Sequence, residues 1–232
     1  MPAAFLSFEG IDGCGKSTQL RLLASLLRLR GVEVVTTREP GGTALGQQLR
    51  HALLEAETRV DPLAELLLYA ADRAQHVSTL VRPALEAGQI VLTDRYADAT
   101  LAYQGAGRGF EPGVVASVVD LATGGLKPDL TLLFDLPVET ARERSRQRRQ
   151  PERPDGDKLE AEDPAFHERV RACYLRLAEE EPERVRVVDA SRSYEEVHQH
   201  VLDIVTPFLK SRDPKLEVRG ERSEAGARKT ED

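Results

Sequence analysis

An apolar run, Ala3–Glu9, stops at a glycine and leads straight into FEGIDGCGKSTQ, Phe8–Gln19. Behind that stretch, Leu20, Leu23, Leu26 and Leu27 recur at helical spacing until Gly31. The order is therefore buried strand, glycine-rich turn, amphipathic helix. Within the turn, Gly10-x4-Gly15-Lys16-Ser17 is the pattern of a loop that wraps phosphate. Glycines let backbone N–H groups converge on phosphate oxygens without interference from Cβ. The helix adds the positive end of its dipole. Lys16 places a charge on the β- and γ-phosphates, and Ser17 offers a hydroxyl to Mg²⁺. A chain built around this unit binds a nucleoside triphosphate.

The rest of the sequence repeats the alternation. Apolar runs at 32–37, 89–93, 130–136 and 185–189 read as four more strands. Helical patterns lie between them at 45–54, 62–80, 112–122, 138–149 and 164–180, and one more follows at 194–209. Strands that are apolar nearly throughout, each separated by a helix, imply an α/β fold. Five parallel strands are flanked by helices on both faces. At 232 residues, 41% hydrophobic and 31% charged, the chain can bury one sizeable core. No run is long enough to cross a bilayer, and no secretory signal stands at the N-terminus, so a cytoplasmic location is expected. The net charge of −7 argues against a large nucleic-acid footprint. Cys14 and Cys173 lack metal-ligand spacing and read as free thiols. After Lys210 the chain turns charged, with only Leu216 and Val218 large and apolar, and 211–232 reads as a disordered tail behind a 1–210 domain.

The loop alone does not say what receives the phosphate. With no asparagine in the chain, the Asn-Lys-x-Asp base-recognition motif of GTPase switches is excluded. Three further stretches suggest a second substrate. TREPGGT (37–43) ends a strand with a charge pair and a Pro-Gly-Gly turn, which fits a loop at the ligand-binding edge of the sheet. YAADRAQH sets Tyr69, Arg73 and His76 on one helical stripe. The pair Tyr69 and Arg73 suits stacking on and hydrogen bonding to a base, although, taken alone, a helix surface with a packed tyrosine explains that stripe better. DRYADATLAYQGAGRG crowds Asp94, Arg95, Thr100, Tyr103 and Gln104 just beyond a strand end, more hydrogen-bonding groups than a bare connection needs.

Taken in order, FEGIDGCGKSTQ, TREPGG, LLYAADRAQH, DRYADATLAYQG and DGDKLEAED resemble the thymidylate kinase family from Ala3 to about Lys210. The resemblance implies a P-loop NTPase fold of the nucleoside-monophosphate-kinase kind, with a lid, and transfer of phosphate from ATP to dTMP with Mg²⁺. It implies that Gly10, Ile11, Asp12, Gly13, Cys14, Gly15, Lys16, Ser17 and Thr18 cradle the ATP phosphates. It sets Asp12 near the acceptor sugar, Asp94 with Ser17 at Mg²⁺, and Arg38, Arg50 and Arg95 around the dTMP phosphate. Arg73 would meet thymine with Thr100 and Gln104 nearby, Tyr103 would line the sugar pocket, and Tyr69 stands where the family usually stacks a Phe. A homodimer is also implied.

Some members carry an arginine inside the loop, at the position of Gly13. Its absence here points to the subtype with a lid arginine. In the lid, about 148–160, Arg153 before DGDKLE best matches that arginine, with Arg148 and Arg149 as alternatives and Lys158 in an assisting role. The catalytic set expected is thus Lys16, Asp12, Asp94, Arg95 and Arg153. Another nucleoside monophosphate kinase, or a nucleotide-binding regulator without activity, are the competing readings.

Overall fold

A run of six buried residues, Ala4–Glu9, forms the central strand of the sheet. The computed structural model describes residues 3–55, 60–147 and 158–214. Five strands, β1 (Ala4–Glu9), β2 (Val34–Arg38), β3 (Ile90–Asp94), β4 (Leu130–Asp135) and β5 (Val185–Asp189), are all parallel in the order β2-β3-β1-β4-β5. All five strands expected from the apolar runs are present.

Side chains alternate across β1. Ala4, Leu6 and Phe8 enter the larger core with Leu20, Leu23 and Leu27 of α1 (Lys16–Leu29) and Val201, Val205 and Leu209 of α9 (Tyr194–Arg212). On the opposite face Phe5 packs with Val91, Tyr96, Val77, Val81 and Ala84. Fixing both faces with apolar helices leaves only the strand ends for chemistry. The register aligns those ends: Phe8 lies opposite Asp94, and Asp94 opposite Arg38. The phosphate loop, the DRY turn and the REPGG turn therefore leave the sheet at one edge.

The remaining helices are α2 (Ala44–Arg50), α3 (Pro62–His76), α4 (Arg82–Glu86), α5 (Ala97–Thr100), α6 (Pro112–Thr123), α7 (Val138–Gln147) and α8 (Pro164–Glu180). Their starts follow local chemistry. Asp61, Asp163 and Ser193 cap α3, α8 and α9 by accepting from backbone N–H groups, and Pro occupies the first turn of α3 and α8. Two expected helices depart from uniform α geometry. The one read at 45–54 widens into a π turn at His51–Glu55, and the one read at 62–80 widens at Val77–Val81 before running into α4. The larger surprise is 97–107, read as a site and given no helix by its periodicity. It is helical, α5 continued by a π segment Leu101–Gly107. Periodicity misses it because its residues are buried on several sides: Ala97, Asp98, Ala99, Thr100, Ala102, Tyr103 and Gln104 are all inside. The last helix extends to Arg212, whose guanidinium is tied to Asp129 at 2.6 Å and to the Ala3 carbonyl at 3.0 Å.

Candidate active site

The phosphate loop bends at Gly13 and Gly15, both at φ near +92, a region costly for any residue with a Cβ. At Gly13 the demand is also spatial. A Cβ there would sit 2.0 Å from the Ala141 carbonyl oxygen of α7, so no side chain fits unless α7 moves. Gly15 ends the turn and α1 starts at Lys16, whose side chain is buried, with Nζ 3.5 Å from Asp12. The Ser17 hydroxyl donates to the Asp94 carboxylate, which joins the loop to the end of β3.

Arg95 is the hub between this loop and the rest of the site. It adopts φ 72, unusual for a long side chain, and its N–H bonds to the Phe8 carbonyl. From that turn its guanidinium reaches the Gly10 carbonyl at 3.0 Å, Asp12 at 2.7 Å and the Tyr103 hydroxyl at 2.9 Å, and lies over the Tyr103 ring at 4.7 Å. Burial works to raise the Asp12 pKa, but Arg95 and Lys16 outweigh it and hold the carboxyl well below the usual range. Asp12 is thus a fixed negative charge at the junction of two cations. Beneath it, Glu9 accepts from Ser7, the Tyr96 N–H and Tyr174, and burial together with Asp98 pushes its pKa up to about 7. Burial also pushes the Cys14 thiol up, so that thiol is not an activated nucleophile.

Beside Asp12 and Arg95 opens a cleft of about 510 Å³, mouth included, lined by Arg50, Tyr69, Arg73, Thr100, Tyr103 and Gln104 among others. Arg73 is almost fully buried at its wall. Its Nε donates to Glu39 at 2.8 Å, Nη1 to Thr100 at 2.8 Å and Nη2 to the Tyr96 carbonyl at 3.0 Å. Three of the five donors of a guanidinium are committed, and the others remain for a ligand. Glu39 is gripped from its other side by His76 at 2.7 Å, and His76 contacts Thr37 at 2.7 Å. Asp72 accepts from the Gly41 N–H at 3.2 Å while its Oδ2 has no hydrogen-bond partner among the described residues. Burial first, then the charge of Glu39, raise its pKa to about 6. Tyr69 packs against Leu54 in a small apolar cluster that Leu159 joins.

The phosphate loop with Lys16 and the cleft meet at Asp12 and Arg95, so two nucleotides can meet head to head at this edge. A sequence model of the thymidylate kinase family matches residues 8–201. The chain belongs to that family. The thymidylate kinase of Desulfovibrio desulfuricans is 50% identical over 214 residues, covering 90% of this chain and 97% of the relative. That of Leifsonia xyli is 54% identical over 196 residues, covering 84% and 91%. The solved thymidylate kinase of Ehrlichia chaffeensis superposes with a TM-score of 0.70 at 33% identity, over 88% of this chain and 99% of that one. The chain is accordingly a nucleoside monophosphate kinase, a phosphotransferase that uses ATP.

Most residues singled out in the sequence converge here. Gly10–Thr18, Asp94, Arg95, Arg73, Thr100, Tyr103, Gln104 and Tyr69 surround the loop and cleft. Arg50 reaches the Pro40 carbonyl at 3.2 Å and lines the cleft. Arg38 stands apart: it is exposed, beside Gly41 and outside the lining of the cleft. Arg148, Arg149 and Arg153 lie outside the described residues, while Lys158 lies just inside them. Glu39, Glu65 and Arg108 were not anticipated. Glu39 sits inside the quoted TREPGGT, but nothing in its spacing shows that it meets Arg73, 34 positions away. Glu65 did leave a signal: it lies one turn before Tyr69 on the buried stripe of α3 that also carries Asp72, Arg73 and His76.

Among the described residues no helix is long and apolar enough to cross a membrane, and no group of three or more His, Cys, Asp or Glu side chains forms a metal cluster. Mg²⁺ does not require one. It favours one or two protein oxygens completed by phosphates and water, and the contacting oxygens of Ser17 and Asp94 suit that demand.

Proposed function

We propose that this chain transfers the γ-phosphoryl group of ATP to dTMP, producing dTDP and ADP, with Mg²⁺ bound by Ser17 and Asp94. The observation that carries the reading is the shared wall: Arg95 and Asp12 touch each other, and both line the cleft while belonging to the phosphate-loop edge. The loop backbone and Lys16 hold the ATP phosphates. Arg95, with Arg50 and Arg38 toward the mouth, receives the dTMP phosphate. Asp12 orients Arg95 and Lys16, and accepts from the sugar hydroxyl. Tyr69 stacks on the base and Arg73 donates to it. Mg²⁺ supplies charge neutralisation on the phosphates when bound.

The acceptor is already a phosphate oxygen, so the reaction calls for positioning and cations rather than a strong general base. Arg153 is the proposed catalytic cation, because Gly13 leaves no room for a loop arginine. We also propose a homodimer through α3 and α6. These helices pack against each other, and each leaves large apolar side chains exposed, Leu63 and Leu67 on one, Val114 and Leu121 on the other.

A coupled ADP-release assay with ATP and Mg²⁺ over dTMP, dUMP, dCMP, AMP and GMP tests the reading. Turnover with highest kcat/KM for dTMP is expected. Nucleotide binding with no ADP release on adding dTMP would sink it.

A further inference from the structure

We propose that Glu65, braced by Arg108, is a positioning residue that decides which way the Gln104 amide faces, and so which pyrimidine edge the cleft accepts. The inference rests on the reading of this cleft as a pyrimidine nucleotide site.

Gln104 is buried in the wall of the cleft, and its Nε2 donates to Glu65 Oε1 at 2.8 Å. Its Oε1 accepts nothing from the described residues. Glu65 is held in turn by Arg108, through Nε to Oε1 at 3.1 Å and Nη2 to Oε2 at 2.9 Å. Arg108 is itself anchored by Glu162 at 2.5 Å and lies 5.0 Å over the Phe166 ring. The Glu162 carbonyl accepts from Arg142 of α7 at 2.8 Å. Glu65, the partner of the Gln104 amide among the described residues, is therefore itself pinned by charged neighbours.

The orientation has one chemical consequence. A carboxylate engaged by arginine at both oxygens only accepts hydrogen bonds. Turning the Gln104 amide over would set its oxygen against Glu65 Oε1, acceptor against acceptor in a buried place. The amide is thus locked with one Nε2 hydrogen toward Glu65. Oε1 and the other Nε2 hydrogen are left for the cleft. That acceptor–donor pair complements the imide edge of thymine or uracil, where N3–H donates and the neighbouring carbonyl accepts. Cytosine presents the reverse, an N3 acceptor beside an amino donor. The clamp selects the imide and is blind to the methyl group.

Steady-state kcat/KM for dTMP, dUMP and dCMP, measured on the wild-type chain and on Glu65→Gln, tests this. A glutamine at 65 can face Gln104 with either a donor or an acceptor, so the amide is released. The dCMP:dTMP ratio is expected to rise tenfold or more, on the scale of one mispaired buried polar group. The loss toward dTMP should fall on KM more than on kcat. The dUMP:dTMP ratio should stay within twofold, because both bases share the imide edge. A dCMP:dTMP ratio within twofold of wild type, or equal movement of both ratios, overturns the proposal and leaves Glu65 a merely structural residue. If Glu65→Gln does not fold, Arg108→Lys, which gives up the two-pronged grip on Glu65, decides by the same ratios. A wild-type chain that does not turn over dTMP would refute the kinase reading separately. The clamp would then be judged from the dissociation constants of the same three nucleotides by calorimetry.

Discussion

Gly13 and Gly15 form a matched pair that separates backbone strain from packing. Both sit at φ near +92, so replacing either with alanine brings the same cost of a left-handed backbone, about 1–2 kcal/mol. Their surroundings differ completely. A Cβ at Gly15 meets nothing within 4 Å, whereas at Gly13 it stands 2.0 Å from the Ala141 carbonyl oxygen. Ordinary contact begins at 3.4 Å, so α7 would have to retreat by the difference, about 1.4 Å. Overpacking of this kind adds roughly 1–3 kcal/mol. At 2–4 °C per kcal/mol for a domain of this size, Gly15→Ala should lower Tm by about 5 °C and Gly13→Ala by about 10 °C. Thermal unfolding followed by circular dichroism, without nucleotide, reads both. Equal Tm values for the two variants, within about 2 °C, would show that α7 does not press on the loop and would refute the packing argument.

Three other outcomes are expected. Asp72 holds its proton more tightly folded than unfolded, its pKa being raised from 3.8 to about 6 by burial and Glu39. Its contribution is therefore intact below about pH 4, and about 2–3 kcal/mol is lost as pH rises through about pH 6. In urea unfolding, Asp72→Asn should be more stable than wild type at pH 7.5 with the gap closing near pH 4; a gap independent of pH would count against it. Arg153→Ala should lower kcat by roughly 10³-fold with little change in dTMP affinity, by analogy with other cations that reach into phosphoryl-transfer sites. Activity within about threefold of wild type, far short of that arginine-finger loss, would reassign the role. Leu67→Glu combined with Leu121→Glu should give a folded monomer in sedimentation velocity, and a persisting dimer would move the interface elsewhere.

Much of the fold was legible because local rules agree with the global answer. The strands β1, β3 and β4 are buried apolar runs, α3, α8 and α9 begin at a cap or a proline, and the phosphate loop carries its own context of strand and helix. Motifs such as DRY and REPGG could be placed at strand ends because strands are short and their ends are marked. The segment 97–107 was not legible as a helix. Its polar residues point inward to Arg73, Glu65 and Arg95, which removes the apolar-polar periodicity that normally announces a helix.

The residues themselves determined the alternating α/β order, the phosphate loop with Lys16 and Ser17, and the short set of polar side chains available for a second substrate. Those facts depend on neighbours within a few positions, where propensity and spacing act directly. Only the tertiary structure decided which carboxylate meets which arginine. Glu39 and Arg73 are 34 positions apart, Gln104 and Glu65 are 39 apart, and Asp12 and Arg95 are 83 apart. Parallel register brings the three strand ends to one edge, and burial there makes every unpaired charge costly. The pairings are the arrangement that satisfies all of those charges at once, a condition on the whole packed molecule that no single stretch contains.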